Sequence, residues 1–150
     1  MLRSEPQACR VWAAAATSRV MSASVYDTLG SALCLSVRSF RKDGTPVDTP
    51  LWVVPIDGRF GLFTDGRSHK IKRLRRNQQV EVAASDVWGV CSTPWYPGRC
   101  RFVEEPELRA RIYAAIAGKY GIHWTMSTFL SRLSGRIKHR VVLEIELTPS

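Results

Sequence analysis

The densest chemistry in the sequence is a cationic run. Between Asp65 and Glu81 there is no acid, while Arg67, Lys70, Lys72, Arg73, Arg75 and Arg76 crowd the interval. Ser68 stands where a helix N-cap is expected, its hydroxyl able to bond a free N–H of the first turn. His69–Asn77 then reads as a helix with Ile71 and Leu74 at i, i+3 as its inward anchor. The run follows a strand end and Gly66, so the positive end of the helix dipole should open onto the rim of that strand's sheet. Lys70 falls in the first turn, where the dipole disfavours a cation; an anion held there reverses the cost. A phosphate site is the economical explanation, and a solvated basic helix face is the plain alternative.

Other chemistries lack their residues. There is no G-x-G-x-x-G after a strand and no G-x-x-x-x-G-K-[ST], which removes dinucleotide and P-loop sites. No G-x-S-x-G nucleophile turn occurs. The three histidines, His69, His123 and His139, have no second ligand at metal spacing. His123 reads as a loop residue and His139 as a satisfied core histidine. No catalytic side chain and no metal site are expected, so a reactive atom would belong to a cofactor that the protein positions. Nucleic acid is the competing partner for a basic run, because clustered Lys and Arg grip phosphates. Single-strand binders interleave aromatics with the cations, and residues 66–80 hold none, so nucleic acid is the weaker reading.

The chain has 150 residues with 22 Lys and Arg against 13 Asp and Glu, a net charge of +9 that favours an anionic partner. Length and a hydrophobic content of 45% fit one globular domain rather than a disordered chain. No apolar stretch approaches the ~20 residues of a membrane span, and no membrane partner is expected. Cys9, Cys34, Cys91 and Cys100 form no C-x-x-C pair, so the protein reads as cytoplasmic, with Cys34 and Cys100 as small core residues. Residues 1–24 are expected to be a disordered extension, or to lie partly ahead of the true start if translation begins at Met21. Residues 25–150 are the domain.

The elements that must position the basic run are strands. A short helical turn over Val25–Leu29 is expected to stop at Gly30. Ser31–Phe40 alternates, Asp43-Gly44 turns, Val47–Val54 returns with Pro50 marking an edge or bulge, and Asp57-Gly58 turns again into Phe60–Thr64. Strand character recurs at Gln79–Ser85, Gly98–Glu104 and Ile137–Leu147. Helices are expected at Glu107–Lys119, closed by Gly121, and at Ser127–Leu133. The fold class is therefore α+β, mainly β: six antiparallel strands, closing most economically into a small barrel, with flanking helices.

This order of strand, Asp-Gly, strand, Asp-Gly, strand, then Lys70–Asn77 running into a Val-alternating strand, resembles the flavin/deazaflavin split β-barrel superfamily. Within it, the chain is similar to the pyridoxamine-phosphate-oxidase-like branch that uses coenzyme F420. Asp43–Trp52, Phe63-Thr64, Gly98–Phe102 and Lys119-Tyr120-Gly121 carry the likeness as well, over about Val25–Leu147. The resemblance implies an oxidoreductase that moves hydride from reduced coenzyme F420 to a small conjugated substrate, with flavin mononucleotide (FMN) as the alternative cofactor. A non-catalytic cofactor-binding protein is the third class. The resemblance also implies a homodimer with two sites at the interface, each lined by both chains. Thr64, Asp65, His69 and Lys70, with Lys72 and Leu74, would hold the phosphate and acidic tail. Gly30, Ser31, Thr49, Pro50 and Leu51 would lie near the ring system. Cys91, Ser92, Thr93 and Pro94 resemble a segment that reaches the cofactor across the dimer.

Overall fold

The computed structural model describes residues 24–135 and 139–148. Of the extension expected over residues 1–24, Ser24 is described and begins the first helix; residues 1–23 lie outside the described residues. A helix, α1 (residues 24–31), precedes strands β1 (Cys34–Phe40), β2 (Pro46–Leu51), β3 (Val53–Ile56) and β4 (Arg59–Asp65). Then follow α2 (His69–Arg76), β5 (Gln79–Ser85), β6 (Tyr96–Phe102), α3 (Pro106–Tyr120), α4 (Ile122–Ser134) and β7 (Arg140–Leu147). All pairs in the sheet are antiparallel, in the order β2-β1-β5-β6-β7-β4-β3.

The sheet has seven strands where six were expected. The expected return strand over 47–54 divides at Trp52: Leu51 pairs with Leu35 of β1, and Val53 pairs with Leu62 of β4. Those two strands stand at opposite sides of the sheet, yet one residue separates their partners in sequence. The sheet must therefore curl until its edges meet, which gives the split barrel. Pro50 sits on the edge strand β2, where its missing N–H leaves no central ladder bond unmade. Periodicity could not register the division, because each half alternates normally and only the partner changes.

The barrel interior holds Leu35, Val37, Phe60, Leu62, Val80, Val82, Leu143 and Ile145. α1 plugs one mouth with Leu29 and with Tyr26, whose ring lies 5.1 Å from Phe60. α2 plugs the other with Ile71 and Leu74. A second apolar layer lies outside the β3-β4-β7 face, where α3 covers Val54, Ile56 and Val142 with Ile112, Ile116 and Tyr120. Gly61 allows this approach, since a Cβ there would meet Ile112 at 2.8 Å.

Several local expectations are corrected. Gly30 does not end α1 in a left-handed conformation; the helix runs through it to residue 31. What Gly30 provides is room, because a Cβ would stand 2.9 Å from Pro55 Cβ. The last helix starts at Ile122, five residues before the expected Ser127, so His123 is helical rather than in a loop. His139 is exposed just before β7 and is not a core residue. The two-residue turn at Asp57-Gly58 is as expected, with φ of 52° and 76° at successive positions. Cys34 and Cys100 are buried thiols, and burial pushes Cys100 up to about 12.

The seam at Trp52 is pinned from α3. Tyr120 Oη donates to the Leu33 carbonyl at 2.7 Å and accepts from Val53 N–H at 2.9 Å, and its ring stacks on Trp52 at 4.4 Å. Burial raises the phenol to about 12, which keeps it a neutral donor. Lys119 Nζ donates to three carbonyls, those of Gly30 (2.9 Å), Ala32 (2.6 Å) and Val53 (2.8 Å). Tyr120→Phe should leave the buried Val53 N–H and the part-buried Leu33 carbonyl without this partner and lower stability by ~1–3 kcal/mol. Urea unfolding checks it; an unchanged midpoint would mean the seam closes without the phenol.

Candidate functional site

β4 ends in Phe63-Thr64-Asp65, and strand alternation turns Thr64 inward at the mouth that α2 covers. Thr64 is 7% exposed. At Asp65 the chain must leave the sheet, and the Asp65 carboxylate builds the turn by accepting from the Arg67 backbone N–H at 2.9 Å and from its guanidinium. Those bonds hold the carboxyl below its ordinary value. Gly66 fits because a Cβ would press on the His139 carbonyl oxygen at 2.7 Å.

Ser68 occupies the N-cap position of α2 but does not cap with its side chain. Its Oγ donates instead to the Asp65 carbonyl at 2.8 Å. The first-turn N–H groups of α2 thus have no side-chain acceptor from the cap. Lys70 leans back over this turn, its Nζ 3.1 Å from Thr64 Oγ1 and 3.4 Å from Ser68 Oγ. Its surroundings are half-buried, and burial together with the Arg73 charge lowers its pKa. Among the described residues no carboxylate forms an ion pair with Lys70. A cation stripped of much of its water and met only by hydroxyls has unmet capacity for an anion.

Arg73 extends the same face. One helical turn beyond Lys70, its Nε donates to the buried Ser39 Oγ at 2.8 Å. Arg76 reaches the Phe40 carbonyl at 3.2 Å, and burial plus the charges of Arg41 and Arg76 pull Arg73 downward. Lys70, Arg73, Arg76 and Arg41 form a row of positive charge along the mouth, without an ion-pair partner among the described residues. Arg73 was not singled out from sequence. Its signal was present in the i, i+3 spacing from Lys70, while the inward hydroxyl of Ser39 became visible only with the register of β1.

Thr64, Ser68, Lys70 and Arg73 make a cationic cradle at this mouth. The other expected residues divide. His69 and Lys72 are exposed on the same helix, whereas the Leu74 side chain is 1% exposed and belongs to the core. Gly30 and Ser31 close α1 at the opposite mouth, Ser31 Oγ bonding the Asp27 carbonyl at 2.7 Å. Thr49, Pro50 and Leu51 pair with Val37, Ser36 and Leu35, towards the start of β1. The segment from Cys91 to Pro94 lies along the end of β5: Ser92 N–H donates to the Ala84 carbonyl at 2.9 Å, and Thr93 Oγ1 accepts from Ala84 N–H at 3.0 Å. Ala84 is itself paired with Leu35. The expected set thus forms one group at the Ser39 end of β1 and a second that runs from the middle of the strand, at Val37, to its start. At about 3.3 Å per residue, Ser39 stands about 7 Å from Val37 and about 13 Å from Leu35 along the strand.

Two further features frame these groups. Arg38 forks onto Asp48 at 2.8 and 3.1 Å and lies 3.9 Å under the Trp95 ring, tying the segment after Pro94 to the sheet. Val87, Trp88 and Val90 stand exposed on the loop whose Gly89 lies beside Pro50. A shallow pocket of about 190 Å³ on the outer β6-β7 face is lined by Arg59, Gln78, Arg99, Cys100, Arg101, Glu144 and Glu146. It shares no residue with the expected set. No cluster of three potential metal ligands occurs among the described residues.

Comparison with known proteins agrees with this architecture. A conserved hypothetical protein from Mycobacterium tuberculosis superposes with a TM-score of 0.60 at 23% identity, covering 83% of this chain and 79% of that one. The heme storage protein HutZ from Vibrio cholerae gives 0.57 at 12% identity, over 87% and 89%. A protein described as an F420 reductase gives 0.53 at 15% identity, over 81% and 91%. No curated protein matches in sequence. At these identities the likeness is one of fold. A family profile for pyridoxamine 5'-phosphate oxidase matches residues 26–148, nearly all of the domain. The chain belongs to the pyridoxamine 5'-phosphate oxidase family.

Proposed function

We propose that the protein is an oxidoreductase that binds reduced coenzyme F420 and presents it to a small conjugated substrate. Half-buried Lys70 is the supporting observation: among the described residues its ammonium bonds the hydroxyls of Thr64 and Ser68, forms no ion pair, and stands next to Arg73. These donors and the start of α2 would hold a phosphate, and the row through Arg73, Arg76 and Arg41 would follow an acidic tail. When bound, the deazaflavin supplies the hydride. The chain's own contribution is position and charge, with no acid, base or nucleophile assigned. FMN is the second reading, favoured by the compactness of the Thr64–Ser68–Lys70 triad, which suits a single phosphate. The longer row favours the tail. A protein that stores the cofactor without turnover would bind equally well and fail to oxidise it with any acceptor.

The protein would act as a homodimer, as the resemblance implies. Along β1 the cradle at Ser39 and the register of Thr49–Leu51 stand about 7–13 Å apart, and in the dimer one copy would hold the phosphate while its partner would face the ring. Exposed Trp88, beside Pro50, would lie under that partner.

Three measurements check these assignments. Fluorescence titration should show tighter binding of coenzyme F420 than of FMN. Lys70→Glu should weaken it by about tenfold or more. Arg75→Glu should change it less than about threefold, because Arg75 stacks on Phe102 outside the cradle. Equal losses would indicate diffuse attraction in place of a built site. Affinity should also fall as pH rises, beginning below the ordinary lysine value of 10.5, because deprotonating Lys70 removes the positive charge. Lys70→Arg should flatten that decline; a profile unaffected by the substitution would exclude Lys70 as its source. Trp88→Glu should yield monomers in sedimentation velocity and lose cofactor binding together. Monomers with full affinity would place the whole site in one chain.

A further inference from the structure

The outer face of β4, β7 and β6 carries a ladder of opposite charges. In the β6-β7 register Arg101 stands across from Glu144, and Arg99 across from Glu146. Arg59 of β4 reaches both glutamates, at 3.1 Å to Glu144 Oε1 and 3.2 Å to Glu146 Oε2. Arg101 donates to the same Glu144 Oε1 at 3.1 and 3.0 Å, and to Glu105 at 2.8 Å. Two groups are left over. The Glu144 side chain is only 5% exposed; three guanidinium N–H groups converge on Oε1, while Oε2 accepts no bond among the described residues. A buried carboxylate oxygen ordinarily has a partner, because leaving it unmet costs its desolvation. The second group is Arg99. Glu146 gives its carboxylate to Arg59, and the Arg99 guanidinium has no partner among the described residues.

Both groups border the pocket of about 190 Å³ on this face, together with the Gln78 carboxamide. Charge and size define what fits there. Arg59, Arg99 and Arg101 line it against Glu144 and Glu146, an excess of one positive charge. Arg59 and Arg101 are engaged, so Arg99 carries that excess. A monoanion matches it, whereas a doubly charged phosphate would face two carboxylates. The planar guanidinium fork takes a carboxylate through two parallel bonds. Glu144 Oε2 then calls for a donor. An ammonium there would stand close to Arg59 and Arg101, which bond the other oxygen; a neutral hydroxyl avoids that repulsion. The volume is that of about six waters, the space of a three-carbon acid.

We propose that this pocket binds a small hydroxycarboxylate, its carboxylate on Arg99 and Gln78 and its hydroxyl donating to Glu144 Oε2. The pocket shares no residue with the cradle of Thr64, Ser68, Lys70 and Arg73. The inference is independent of which cofactor binds.

Nuclear magnetic resonance titration of the isotope-labelled full chain tests it, with lactate, propionate and alanine as probes at constant ionic strength. These three share a carbon skeleton and differ only in the group beside the carboxylate. Lactate should give saturable shifts centred on the backbone amides of Gln78, Cys100 and Glu144. Propionate, without the hydroxyl, should bind about fivefold more weakly. Alanine, with an ammonium in that place, should also bind more weakly than lactate. Arg99→Gln should weaken lactate binding about tenfold and leave the melting temperature unchanged, since the Arg99 side chain has no partner among the described residues to lose. The inference is overturned by a pocket whose amides do not respond, by equal affinity for lactate and propionate, or by alanine binding as tightly as lactate. It is equally overturned by lactate binding that survives Arg99→Gln, or by shifts centred on α2 that Lys70→Glu abolishes. That last outcome would assign the anion to the cradle.

Discussion

The chain crosses from one edge of the sheet to the other at Trp52, and the rest of the structure follows from that crossing. β2 belongs to the β1 side and β3 to the β4 side, with a single residue between them. No flat sheet can satisfy both pairings. Curling it places β1 and β4, which three other strands separate in the sheet order, around a common mouth. One eight-residue helix then touches both, Lys70 bonding Thr64 of β4 and Arg73 bonding Ser39 of β1. Side chains three apart on a helix lie only ~5–6 Å from each other, so the double contact exists only because the barrel closes. Lys119 and Tyr120 hold the seam itself, through backbone groups of Val53 and the chain entering β1.

That geometry explains why cations occupy the cradle. Inward positions near the centre of the barrel are apolar and carry its packing, but at the mouth the inward residues are Ser39 and Thr64, each a hydroxyl with little access to water. Long cationic side chains on α2 can satisfy those hydroxyls while Ile71 and Leu74 seal the interior. Holding ammonium and guanidinium groups this close, partly desolvated and with no ion pair to a carboxylate among the described residues, is unfavourable even with Asp65 nearby. An anionic ligand removes the conflict. The same cluster is the one proposed to hold the cofactor's phosphate.

Much of this was legible in the sequence, and the failures have specific causes. Asp57-Gly58, the alternation of β1, β5 and β7, and the amphipathic spacing of α2 depend on local chemistry, which sequence carries directly. The exchange of partners at Trp52 is a long-range event with no local mark. Gly30 looked like a helix terminator, but its lack of a side chain serves contact with Pro55, a residue far along the chain. Ser68 has the residue type of an N-cap, yet the Asp65 carbonyl is the nearer partner for its hydroxyl. In the site, Thr64 and Lys70 were both named through the resemblance, and their contact is visible only in the structure; Leu74, named through the same resemblance, is buried as the inward anchor that its spacing predicts. Arg73 was missed because its partner lies on another strand.

The most direct measurement is an experimental structure of the full-length protein with coenzyme F420 bound. The account predicts the phosphate within hydrogen-bonding reach of Lys70 Nζ and Thr64 Oγ1, its tail running past Arg73, and the ring against Thr49–Leu51 of the neighbouring copy. A cofactor held elsewhere, with the α2 cations facing open solvent, would contradict it.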